Sequence, residues 1–111
     1  GYCTGLSLTG KLPICIFPRM DFMLEAMSQL VQHLDKLPMF GWRPKVIIRC
    51  RVGQKKPLDA GPQHTQNYTH AFQTMLHNVR ATEVKTPNEV MDAYQRAYYD
   101  FPGSSLIVEN G

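Results

Sequence analysis

Four stretches of the chain are apolar without alternation. Pro13–Phe17 lies between Gly10 and Pro18, and Val46–Cys50 follows a turn at Gly41–Pro44. Leu106–Val108 comes after Pro102-Gly103, and a weaker run covers Arg80–Val84. Continuous apolar runs fit parallel strands covered on both faces better than half-exposed antiparallel ones. Between them the period changes to three and four. Met23, Met27, Leu30, Leu34 and Leu37 form one stripe from Asp21 onward, which predicts a long amphipathic helix. Thr86-Pro87-Asn88-Glu89 is a capping box with proline at the first helical position. The inner face of its helix is expected at Val90, Ala93, Tyr94, Ala97 and Tyr98. A short first helix over Tyr2–Thr9 should stop at Gly10. Helices alternating with strands predict an α/β protein, a three-layer α/β/α arrangement with a mostly parallel sheet and right-handed crossovers.

The segment from Val52 to Gln63 breaks this regularity. It is rich in Gly, Pro, Lys and Asp and directly follows a strand. Ligands of open parallel sheets bind at the carboxyl ends of strands, and loops of this length usually carry function. Composition narrows the picture further. A chain of 111 residues, 43% hydrophobic, can form one domain with a modest core. The net charge of +3 is mild, and the run Arg49, Arg51, Lys55, Lys56 reads as a solvated loop, so no nucleic-acid partner is expected. No apolar run is long enough to span a bilayer, and no membrane association or secretory signal is expected. Cys3, Cys15 and Cys50 are odd in number and lack a Cys-x-x-Cys spacing, which predicts free thiols in a reducing compartment. The six methionines, at helical spacing, read as core filling. His33, His70 and His77 have no compact ligand spacing, so no metal site is expected from this chain. A nucleophile elbow, a phosphate-cradling loop and a paired-carboxylate site are all missing from the pattern.

The loop ends in Gly61-Pro62-Gln63-His64-Thr65-Gln66, which resembles the Gly-Pro-x-His-Ser-Gln stretch in the beta subunits of thiamine-diphosphate-dependent 2-oxoacid dehydrogenases. Gly5 to Ile14 resembles that family's Gly-x-Ala-x-x-Gly-x-x-Pro-Ile segment, and Asp21-Phe22 with Ala26–Val31 resembles its following helix. Thr86-Pro87 and Leu106–Asn110 are similar to its Ser-Thr-Pro helix start and its strand ending in Glu-Asn. The likeness runs through essentially the whole chain. Pro18, the stretch Gln54–Asp59 and the turn His77–Val79 depart from the family pattern, as in a divergent member.

The resemblance implies that residues 1–111 are part of a transketolase-like pyrimidine-binding domain, with thiamine diphosphate as cofactor and its Mg2+ held by a partner domain. It implies a catalytic His64 facing the substrate carbonyl, and cofactor binding by Phe22, stacked on the aminopyrimidine, and by Gln66. The partners would be a diphosphate-binding alpha subunit or domain within an oligomer, and a 2-oxoacid substrate, in the cytoplasm or the mitochondrial matrix. The family's ylid-promoting glutamate matches none of Glu25, Glu83, Glu89 and Glu109. From the residues alone, His64 fits a turn histidine better than a catalytic one, Phe22 fits a core residue equally well, and Gln66 is better described as a helix-start residue. A ketol transferase or a non-catalytic interaction module would leave the same pattern.

Overall fold

The computed structural model describes all of residues 1–111, and several of its elements start or stop where the sequence supplies a signal. Helix α1 (Tyr2–Leu8) closes with a Schellman arrangement, Gly10 N–H donating to Ser7 O and Lys11 N–H to Leu6 O. Gly10 takes the left-handed conformation there, with φ of 93°, which a side chain would resist. Strand β1 (Ile14–Phe17) follows, and β2 (Ile47–Arg51), α2 (Thr69–Met75) and β3 (Arg80–Val84) come next. Helix α3 (Pro87–Gln95) starts on the expected capping box, Glu89 N–H to Thr86 Oγ1 at 3.2 Å and Thr86 N–H to Glu89 Oε1 at 3.1 Å. It relaxes into a π turn (Arg96–Asp100) before β4 (Ser105–Glu109).

The four strands form one all-parallel sheet in the order β1-β2-β4-β3. Handedness then dictates where the helices go. The connections β1 to β2 and β2 to β3 move across the sheet in one direction, and β3 to β4 moves back. Right-handed crossovers must therefore place the first two on one face and the third on the other. The core divides accordingly. On one face Met20, Met23, Leu30, Leu34 and Phe72 pack on Ile48, Cys50, Leu106 and Val108. On the other, Ala97, with Val90, Ala93 and Tyr94, packs on Ile47, Val84 and Ile107. The fold is mixed α/β in three layers, as the alternation predicts.

The long helix expected from Asp21 to Leu37 is not a regular α-helix. It divides into a 3₁₀ segment (Met20–Ala26), a π segment (Ser28–Leu34) and a second 3₁₀ turn (Leu37–Phe40). Met20, Met23 and Ala26 recur every three residues and Leu30 and Leu34 four apart, so the apolar stripe is kept while the winding changes. The π segment ends on Asp35, a fully buried carboxylate. Its oxygens accept from the backbone N–H groups of His77, Asn78 and Val79 at 2.6 to 3.0 Å and from Lys36 Nζ at 3.1 Å. Burial opposes the charge, but these donors outweigh it and hold the Asp35 carboxyl below its ordinary range. Asp35 thus fixes the turn that aims β3.

All three cysteines are free thiols. Burial pushes Cys50 up to about 12, which keeps it protonated and unreactive. Burial and the neighbouring Cys3 thiol raise Cys15 to about 11. No helix is long and apolar enough to cross a membrane.

Candidate functional site

Two neighbouring strands deliver the candidate site. The chain leaves the carboxyl end of β1 at Phe17 and turns at once into the 3₁₀ segment, which presents Phe22. It leaves the carboxyl end of β2 at Arg51 and enters the long loop that presents His64. Because β1 and β2 pair directly, both residues arrive at the same end of the sheet. Their rings meet edge to face, with centroids 5.5 Å apart and planes at 88°. This is a favoured geometry for an aromatic pair. Phe22, half exposed, is therefore not simply a core residue.

The loop fixes His64 by backbone rather than by side chain. Asp59 Oδ1 accepts from Gly61 N–H at 2.8 Å, and Gly61 adopts φ of 96°. Gly61 O then accepts from His64 N–H at 3.1 Å and from Thr65 Oγ1 at 3.0 Å. The His64 ring makes no hydrogen bond within the chain, so it caps neither Gln66 nor a helix. Gly53 backs the segment from below. A Cβ at Gly53 would overlap His64 O and touch Arg19 Cδ, so only glycine allows the β2 end and the His64 turn to approach this closely. We expect Gly53→Ala to destabilise the fold by about 1–3 kcal/mol, the usual range for overpacking. Denaturant melts check the stability, and the histidine ring resonances should show His64 displaced while His33 stays in place.

Phe22 and His64 line an open cavity of about 440 Å³ with Asp21, Glu25, Gln63 and Tyr68. Asp21 borders the cavity, and its Oδ2 is buried and has no hydrogen-bond partner. Such an atom is destabilising unless something donates to it. Tyr68 is anchored through its backbone N–H, 3.2 Å from Met20 Sδ, which ties the end of the loop to the 3₁₀ segment.

Gln66 is not among the residues lining this cavity. It is also not at a helix start: α2 begins at Thr69, and the polar group serving its first turn is Asn67 Oδ1, which accepts from Thr69 N–H at 3.0 Å. The segment 62–68 stays irregular because Pro62 lacks a donor and Asn67 offers its own turn. Tyr68 carries no signal of its own in the sequence, whereas Asp21 belongs to the Asp-Phe pair that opens the helix resemblance.

The remaining acids fall elsewhere. Arg49 grips Glu109 by Nε to Oε2 at 2.6 Å and Nη2 to Oε1 at 3.3 Å, and Tyr94 OH donates to Oε2 at 3.0 Å. The Arg49 hydrogen bond chiefly holds the Glu109 carboxyl below its ordinary range, whereas burial and Glu109 push the Tyr94 phenol up. Glu83 accepts from Asn67 Nδ2 and Asn110 Nδ2. Glu25 alone among the glutamates borders the cavity, and it is exposed. No group of three or more His, Cys, Asp or Glu side chains converges as a metal site. No family model matches this chain, and no curated protein matches its sequence.

Proposed function

We propose that this chain forms the aminopyrimidine-side wall of a thiamine-diphosphate enzyme acting on a 2-oxoacid, in the manner of the beta subunit of a 2-oxoacid dehydrogenase. The observation that carries the reading is the pair Phe22 and His64, edge to face above the β1–β2 carboxyl ends, with an imidazole that makes no hydrogen bond within the chain. The residues fit the group. The half-exposed Phe22 ring offers a stacking surface, the Asp21 side chain borders the cavity with one oxygen left without a partner, and the cavity has room for a six-membered ring. On this reading Mg2+ and the diphosphate are held by a partner subunit or domain. Thiamine diphosphate, when bound, supplies a site that stabilises a carbanion.

The work of this chain is narrower. Phe22 sets the plane of the ring against it. His64, a residue type that exchanges protons near neutral pH, holds or delivers a proton at the substrate carbonyl oxygen. The tight Gly53 approach keeps that imidazole from drifting.

Titrating the labelled chain with 4-amino-5-hydroxymethyl-2-methylpyrimidine tests the recognition step without the partner. We expect saturable, millimolar-range shifts confined to Phe22, His64, Tyr68 and their neighbours, with dissociation constants on the order of a millimolar for so small a ligand. Shifts scattered over the surface, or none at concentrations of tens of millimolar, would remove the reading. Phe22→Ala should abolish the effect while leaving the melting temperature within a few degrees, since the ring is half exposed.

A further inference from the structure

We propose, resting on the reading of His64 as the acid–base group, that Glu83 is the residue that positions it. Glu83 anchors a side-chain clasp that ties both ends of the long loop to the sheet. The clasp runs across the carboxyl ends of β2, β4 and β3. Gln54, at the start of the loop, donates through Nε2 to Asn110 Oδ1 at 3.3 Å. Asn110 Nδ2 donates to Glu83 Oε1 at 3.1 Å, and Asn67, at the far end of the loop, donates through Nδ2 to the same oxygen. The sheet delivers these groups. Val52 N–H donates to Glu109 O at 3.0 Å and Asn110 N–H to Val84 O at 2.8 Å, so the chain leaving β4 stays between β2 and β3.

The polarity of the clasp is set along its whole length. Asn67 Oδ1 accepts from Thr69 N–H at 3.0 Å and from Thr69 Oγ1 at 2.6 Å. An amide whose oxygen is occupied in this way turns its NH2 group to Glu83. Asn110 likewise spends its oxygen on the Gln54 amide. Donors therefore converge on Glu83 from both ends of the loop. An ionised carboxylate only accepts, and its bonds are stronger than those of a neutral acceptor, so it suits the point where the two arms meet.

What the clasp fixes differs from what the turn fixes. Gly61 O binds His64 N–H and Thr65 Oγ1, contacts internal to the loop that give the turn its shape but not its place. Phe22 hangs from a different strand end, so keeping the two rings 5.5 Å apart requires the loop to be tied to the sheet. Gly53 supplies a close approach to His64 O but no bond. Tyr68 N–H reaches Met20 Sδ, and a thioether is a weak acceptor. The clasp supplies the stronger ties, at Gln54 and Asn67 on either side of His64. Glu83 does not line the cavity and acts through the loop. Placement matters to the chemistry, because a shift of about 1 Å in a reacting group can cost about a hundredfold in rate.

Asn67→Asp breaks the clasp while sparing the turn that starts α2. The new side chain still accepts from Thr69 but sets a second carboxylate against Glu83. In the whole chain, the nuclear Overhauser effect between the Phe22 and His64 rings should weaken severalfold, while the His33 ring resonances stay in place. Adding Glu83→Gln reverses the polarity: its amide donates to the carboxylate at position 67, and its oxygen still accepts from Asn110. The double variant should therefore recover the contact, which a general loss of stability would not allow. A contact unchanged in Asn67→Asp, or not recovered in the double variant, overturns the proposal. Should Asn67→Asp fail to fold, Glu83→Ala removes the acceptor without adding charge, and an unchanged ring contact there overturns the proposal equally. In the assembled enzyme, turnover per cofactor-loaded site should fall about tenfold in Asn67→Asp and return in the double variant, with cofactor affinity constant within about twofold. A displaced imidazole with undiminished turnover supports the clasp and removes the reading of His64 as the acid–base group.

Discussion

Asp35→Ala should lower the stability of this chain by about 3 kcal/mol or more, enough to leave a domain of this size marginal. The carboxylate is fully buried and serves three consecutive backbone donors, from His77, Asn78 and Val79. Truncation leaves those donors unpaired where no other acceptor is built in, and the desolvation penalty of each is about 1–3 kcal/mol. It also frees the turn into β3, whose register with β4 begins at Arg80 and Ser105. Asp35→Asn is the informative companion. It keeps the shape and one acceptor oxygen but gives up the charge that strengthens every bond, so its loss should be about half as large. Urea melts of both variants decide the point. A loss below about 1 kcal/mol for Asp35→Ala would mean that the turn holds itself.

The sign of the pH dependence follows from the same contacts. The Asp35 carboxyl is held below its ordinary value in the folded chain. Its contribution is therefore complete above the unfolded value, near 4, and disappears as pH falls through the lower folded value. Glu109 behaves alike, with Arg49 as the principal cause. Stability should fall on acidification below about pH 4, and the fall should be shallower in Asp35→Asn, which has lost one of the two groups.

The strands were legible because an apolar run is written locally, but the expected cover on both faces holds only for β2 and β4: β1 alternates exposed and half-buried residues, and β3 is buried only at Val84. Arg80–Val84 coincides with β3, and the three other apolar runs begin within a residue of β1, β2 and β4. The capping box of α3 and the Gly10 stop of α1 were legible for the same reason, since each is a contact between near neighbours. The winding of the 20–40 segment was not. A stripe of apolar residues at threes and fours satisfies a 3₁₀, an α or a π turn alike, and what selects among them is the sheet beneath. Asp35 is harder still. It occupies a polar position in a helical pattern, and its partners come from a turn 42 to 44 residues away. At the candidate site, His64 and Phe22 were singled out by their motifs, but their contact depends on β1 lying beside β2. Gln66 went wrong as a helix-start residue because Asn67 makes the competing turn.

Removing the imidazole at His64 separates the proposed chemistry from a merely structural role. On the proposed reading, His64→Ala in the assembled enzyme should lower turnover per cofactor-loaded site by about a hundredfold or more, the usual contribution of a positioned acid–base group. Cofactor affinity should change little, because Phe22 and Asp21 keep their places. The turn is held by backbone contacts of Gly61 with His64 N–H and Thr65 Oγ1, none of which uses the imidazole. The melting temperature should therefore move by only a few degrees, the loss being limited to the edge contact with Phe22, about 0.5–1.5 kcal/mol. His64→Gln separates hydrogen bonding from proton exchange. It can still donate to a carbonyl oxygen but cannot titrate, so it should recover part of the affinity for substrate and little of the turnover. A structural histidine gives the reverse pattern, with a lowered melt, fewer folded sites and unchanged turnover at each. Near-normal turnover in a folded, cofactor-loaded His64→Ala enzyme would remove the catalytic assignment and leave the cavity as a binding surface of a non-catalytic module.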